Sequence, residues 1–191
     1  MKLADKLAQA ANHPPTLRRR ILAKVLPVFV YSTFFPALLF ITPKLVLDRW
    51  LHLPTFLNPI TRALLGGSFI APGILFLFWS IQAQRVIGQG TPMPLMATQK
   101  LIVQKPYSYS RNPLFFGLII LFFGISILLG SISSLVMVLT FSVIILLYVK
   151  FIEEKELENR FREAYLAYKK TTPFLIPHPS LSRGNNPGEI L

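Results

Sequence analysis

The sequence predicts an all-α, polytopic membrane protein with about four transmembrane helices, including a C-terminal helical hairpin, and a cytoplasmic C-terminal helix beyond them. Three observations predict it. Hydrophobic residues make up 52% of the 191 and charged ones only 15%, with a mean hydropathy of +0.52, far from the balance of a soluble domain. The apolar residues gather in runs long enough to cross a hydrocarbon core roughly 30 Å thick. Lys and Arg stand at the ends of those runs, with Arg18, Arg19 and Arg20 before the first and Lys169 and Lys170 after the last. That is the placement favoured by the positive-inside rule and by anionic headgroups. The net charge of +12 is therefore directed at membrane lipids, and no nucleic acid is expected as a partner. The chain has no cysteine, which excludes disulfides, thiolate metal sites and cysteine nucleophiles. No short apolar stretch closes on a small-residue cleavage signal, so no removable signal peptide is expected.

Each element follows in order. Residues 1–12 have Leu3, Leu7 and Ala11 on one helical face, fitting an interfacial amphipathic helix or a frayed tail, within a cytoplasmic arm over 1–20. Leu22 to Leu47 is the first span, with Pro27, Pro36 and Pro43 each able to kink it. A polar connection with Asp48, Arg49, His52, Pro54, Asn58 and Pro59 leads to the second span, Ala63 to Ile81, where Gly66, Gly67, Ala71 and Gly73 allow close approach of another helix. These two spans occupy 21–83. The apolar run from Leu114 to Val149 is too long for one crossing at about 1.5 Å per residue. It has Gly130, Ser131, Ser133 and Ser134 at its middle, so a helical hairpin is expected over 113–151. The half from 84 to 179 holds the polar chemistry, 180–191 reads as a flexible tail, and the whole is one integral membrane domain over 1–191. Counting Lys and Arg places both termini and the 84–112 connection in the cytoplasm.

That topology brings two polar stretches to one membrane face. One is the connection ending in KPYSYSRNP; the other begins as the last span reaches water and carries five of the chain's eight acids, Glu153, Glu154, Glu156, Glu158 and Glu163. Leu157, Phe161, Tyr165 and Tyr168 keep helical spacing there. Glu156, Glu158 and Glu163 read as supports of a solvated helix, worth about 0.2–0.5 kcal/mol per pair. Glu153 and Glu154 stand at the very end of an apolar helix, where an unpaired carboxylate drawn into hydrocarbon costs about 2.5–3.5 kcal/mol or more. They call for a partner, and Arg111 lies at equivalent depth. Arg111 has an alternative role in snorkelling to lipid phosphates, with Asn112 capping the helix and Pro113 at its first position. A helix N-terminus, guanidinium, amide and carboxylates together also make a receptor for a zwitterion such as an amino-acid moiety. Other chemistries find less support: GQGTPM lacks the third glycine of a nucleotide fingerprint, His13, His52 and His178 are scattered so that no metal site is expected, and no charge lies mid-membrane as ion transport requires.

The order GTPMP, LIVQKPYSYSRNPLFFG, an apolar hairpin, then EEKELENRFREAYLAYKKTTPFLIP resembles the isoprenylcysteine carboxyl methyltransferase and phospholipid methyltransferase group of integral membrane enzymes, over about residues 86 to 179. Leu101, Pro106, Tyr107, Arg111, Pro113 and Gly117 match that group's first motif, and Glu153, Glu154, Leu157, Phe161, Tyr165, Tyr168, Pro173, Ile176 and Pro177 its second. Lys105, Asn112, Phe116 and Arg162 depart from it, standing where the group has Gly, His, Tyr and Gly. The resemblance implies S-adenosylmethionine as cofactor, held by Tyr107, Arg111, Asn112, Pro113, Gly117, Glu153 and Glu154, with Arg111 and Glu154 in the catalytic roles. It implies a lipophilic small-molecule or lipid acceptor, its carboxylate or amine methylated at the cytoplasmic face. Asn112 cannot act as a base near neutral pH, which sets aside a mechanism needing an imidazole there. A sterol-reductase-like enzyme using NADPH and a non-catalytic membrane scaffold are the alternatives.

Overall fold

The computed structural model of the chain describes residues 29, 33–88 and 100–178. The regular structure among them is helical throughout. Helix α1 covers 33–50, α2 Pro59–Val86, α3 Pro113–Leu129 and α4 Ile132–Tyr148. One widened turn, Val149–Glu153, carries α4 into α5, Glu154–Thr171. The arm at 1–20 with its amphipathic stretch, the start of the first apolar run with Pro27, the GTPMP motif and the tail at 180–191 lie outside the described residues.

Among the described residues, two stretches are long and apolar enough to cross a membrane: α2, 28 residues at a hydropathy of 1.9, and the run that begins at Ile132, at 2.6. α3 is a shorter apolar helix of 17 residues. In α1, Pro36 and Pro43 stand at widened turns. A π-helical turn follows Pro36 and another starts at Pro43, because a ring without an N–H cannot make the i→i−4 bond and the turn widens around it.

α2 begins where Asn58 accepts a hydrogen bond from the Thr61 N–H at 2.9 Å, with Pro59 at its first position. It packs on α3 backbone to backbone. A Cβ at Gly66 would stand 2.9 Å from the Gly124 carbonyl oxygen, and one at Gly117 would stand 2.7 Å from the Leu77 nitrogen and 3.0 Å from the Gly73 oxygen. Gly66 thus faces Gly124 while Gly73 faces Gly117, so the two helices run antiparallel. Of the small residues in α2, Gly66 and Gly73 make the approach, whereas Gly67 and Ala71 are exposed.

α3 ends in a left-handed Gly130 with φ 60°, and Ser131 caps α4 by accepting from the Ser134 N–H at 3.1 Å. Of the charges around this first connection, Arg49 is exposed, whereas Asp48 and Arg62 are engaged with the α3–α4 turn. Asp48 is buried and accepts from the Ser133 N–H at 3.1 Å; Arg62 donates to the Leu129 carbonyl at 3.3 Å. An anion thus sits at the start of α4 and a cation at the end of α3, each complementing a helix dipole. The core between α1, α3 and α4 is built from Leu39, Phe40, Leu118, Phe122 and Val138, with Phe40 and Phe122 edge-to-face at 5.4 Å. Leu64, Leu75 and Phe78 on α2, and Val143, Ile144 and Leu147 on α4, point outward, as lipid-facing residues do.

Candidate active site

No charged residue occurs between Arg111 and Lys150, so the acids that follow stand beyond the apolar run of α4. The π-helical turn Val149–Glu153 turns the chain by an extra residue just before them. Glu154 then faces back to the start of α3. Its Oε1 lies 3.2 Å from Arg111 Nη2, with the two side chains only 9% and 4% exposed. Two segments more than forty residues apart in sequence thus meet as a buried ion pair.

α5 makes this site by reversing. At Arg162 the backbone has φ 46° and ψ −121°, a conformation open mainly to glycine. In a straight helix residues 154 and 169 would be about 22 Å apart. Here Lys169 Nζ lies 3.2 Å from Glu154 Oε2 and 2.7 Å from Glu158 Oε1, so the second half of α5 folds back on the first. Tyr165 and Tyr168 come with it and are buried. The Tyr165 hydroxyl lies against Glu154, and the Tyr168 hydroxyl donates to the Tyr107 carbonyl at 2.6 Å. Burial raises both hydroxyls well above the usual phenol range, so they remain protonated donors. The Lys169 ammonium is shifted upward by its hydrogen bond to Glu158.

The loop before α3 is framed by the segment after α5. The Arg111 N–H donates to the Pro173 carbonyl at 2.9 Å and the His178 N–H to the Tyr109 carbonyl at 3.0 Å. Ser110 Oγ donates to the Leu175 carbonyl at 2.8 Å. Asn112 does not cap α3 with its side chain; its amide nitrogen donates to the Phe174 carbonyl at 2.9 Å. An imidazole N–H could make the same donation. Tyr107 is buried, its hydroxyl receiving Gln84 Nε2 at 2.8 Å. Gln84 near the end of α2 therefore joins the cluster.

Each predicted site residue has a definite place. Arg111, Glu153, Glu154 and Tyr107 cluster at the end of the bundle where α2 and α4 finish and α3 begins, and Pro113 starts α3 beside them, fully buried. The open side of Gly117 is taken up by the α2 backbone, so the close packing of α2 on α3 needs a glycine there. Glu156 departs from the expectation: it is buried and paired with Arg160 at 3.2 Å, not solvated. Glu158 is held by Lys169, while Glu163 is exposed as expected.

The electrostatics leave three groups unanswered. Among the described residues, Arg111 Nε and Nη1 are buried and have no hydrogen-bond partner, and Glu154 Oε1 accepts no aligned bond despite its nearness to Nη2. Glu153 has no cation in ion-pairing range among the described residues. Although half-buried as a residue, it has its carboxyl pushed up to about 7, first by burial and then by the charges of Glu156 and Glu154. The site offers donors to an anion and a carboxylate to a cation, side by side.

Fold and site together define a helical, membrane-associated protein with a charged site at one end of its apolar bundle. Residues 61–164, more than half of the chain, match the family model described as phospholipid methyltransferase. The chain belongs to that family, one of S-adenosylmethionine-dependent methyltransferases. The match begins earlier than the motif resemblance, inside α2, and so takes in Gln84 and the glycines that pack α2 on α3. No curated protein and no solved structure matches the chain.

Proposed function

We propose that the protein transfers a methyl group from S-adenosylmethionine to the carboxylate or amine of an isoprenoid or other lipid at the cytoplasmic membrane face. The observation that carries this reading is Arg111: a guanidinium 9% exposed, engaged through one nitrogen, with Nε and Nη1 unpartnered. Leaving buried donors unmade costs about 1–3 kcal/mol each unless a ligand completes them. The carboxylate of an amino-acid moiety fits these donors, and its ammonium fits the unpaired Glu153. The residues present therefore fit the amino-acid portion of the cofactor.

When bound, S-adenosylmethionine supplies an electrophilic methyl group on a sulfonium centre. The chain's own residues bind and orient. Arg111 holds a carboxylate, Glu154 fixes Arg111, Glu153 faces positive charge, and the buried ring of Tyr107 walls the site. Asn112, committed to Phe174, is not a base. A carboxylate acceptor needs no proton removed, and an amine acceptor reacts as the neutral amine, having given its proton to solvent. Alignment in line with the breaking bond is then the main task left to the protein.

The topology proposed with this function has four crossings, with both termini and the 84–112 connection cytoplasmic. The distribution of Lys and Arg and the antiparallel packing of α2 on α3 support it. Calorimetry on the detergent-solubilised protein tests the function: S-adenosylhomocysteine should bind. Binding of NADPH in its place would point to a reductase, and binding of neither to a scaffold.

A further inference from the structure

An arginine and a carboxylate buried together normally close into a fork of two parallel N–H···O bonds at about 2.7–2.9 Å. Arg111 and Glu154 do not. Only Nη2 approaches Oε1, at 3.2 Å, and that oxygen accepts no aligned bond. The second oxygen, Oε2, is turned away to Lys169 at 3.2 Å, and Lys169 is itself fastened by Glu158 at 2.7 Å. Besides the Tyr165 hydroxyl, which lies against Glu154, Lys169 is the group among the described residues that opposes rotation of the Glu154 carboxylate until both its oxygens face the guanidinium, and it is the one that brings a positive charge to do so. That rotation would consume the donors left open at Nε or Nη1.

We propose that Lys169 is a positioning residue that holds Glu154 off the Arg111 fork and so keeps that fork open to the carboxylate of the methyl donor. The inference rests on the methyltransferase reading above. Lys169 touches no reacting atom; it acts through Glu154. At 38% side-chain exposure it is not a packing element of the core, so its removal should leave the helices in place. It reaches Glu154 only because α5 reverses at Arg162.

Two ligands separate this role from a merely structural one. S-adenosylhomocysteine carries the amino-acid portion, whereas 5′-deoxy-5′-methylthioadenosine has the nucleoside and sulfur without it. In the full-length protein in detergent, Lys169→Met should weaken S-adenosylhomocysteine about tenfold or more, the size of a charge-assisted hydrogen bond, and leave methylthioadenosine within about twofold. Lys169→Arg, which keeps the charge, should hold S-adenosylhomocysteine within about threefold of wild type. Unchanged S-adenosylhomocysteine affinity in Lys169→Met, or equal weakening of both ligands, overturns the proposal while leaving the methyltransferase reading intact. Failure of the unmodified protein to bind S-adenosylhomocysteine overturns both.

Discussion

Arg111 concentrates the chemistry at the scale of single residues. Its unmade donors predict that Arg111→Ala weakens S-adenosylhomocysteine by about 1.5–3 kcal/mol, the range for hydrogen bonds to charged groups, measured by calorimetry on the folded variant. Asn112 is a frame residue by contrast. Asn112→Asp turns a donor into an acceptor against the Phe174 carbonyl and should lower thermal stability by about 1–3 kcal/mol, whereas Asn112→His, which restores an N–H, should not. Arg111 and Glu154 were legible as partners from sequence, because each is a charge at the edge of an apolar run and needs a counter-charge. Lys169 was not: it reads as one more basic residue after the last span. Its contact depends on a backbone reversal at a position where the sequence shows arginine instead of glycine.

At the scale of elements, that reversal and the α2–α3 contact each have a consequence. Holding a non-glycine residue in the conformation of Arg162 costs about 1–3 kcal/mol, against about 0.5–1 kcal/mol for the added freedom of glycine. Arg162 is exposed and its conformation positive in φ, so Arg162→Gly should raise stability by about 1 kcal/mol in a thermal shift assay. In α2, adjacent glycines should respond in opposite directions. A methyl at Gly66 meets the Gly124 carbonyl at 2.9 Å, while one at Gly67 meets nothing within 4 Å. Gly67→Ala should stabilise by about 1 kcal/mol through helix propensity, and Gly66→Ala should destabilise by about 1–3 kcal/mol through overpacking. Composition announces such small residues; only the packed partner tells which face uses them. The turn at Gly130 and Ser131 could be read from length alone, since the apolar run is too long to be one span.

For the whole molecule, the unpaired Glu153 ties stability and binding to pH in opposite senses. Its carboxyl is pushed up to about 7 in the fold, above the ordinary carboxylate value of about 4.3. The folded state therefore holds this proton more tightly. The stability it contributes is complete below about pH 4 and is lost as pH rises through about 7. Attraction for a ligand's positive charge works the other way, appearing only as Glu153 ionises. S-adenosylhomocysteine affinity should rise between about pH 6 and 8 in the wild type and stay flat in Glu153→Gln, followed by calorimetry across that range.

The seam between 109–112 and 173–178 has an outcome for how the protein comes into being. The loop bearing Arg111 takes its shape from carbonyls at Pro173, Phe174 and Leu175, which leave the ribosome some sixty residues after it. All the apolar helices are made, and free to insert into the bilayer, before those carbonyls exist. On the proposed reading, competence to grip a ligand is thus acquired last, when the closing strap is laid down, and a chain cut short at Thr172 should be a lodged but blunt instrument.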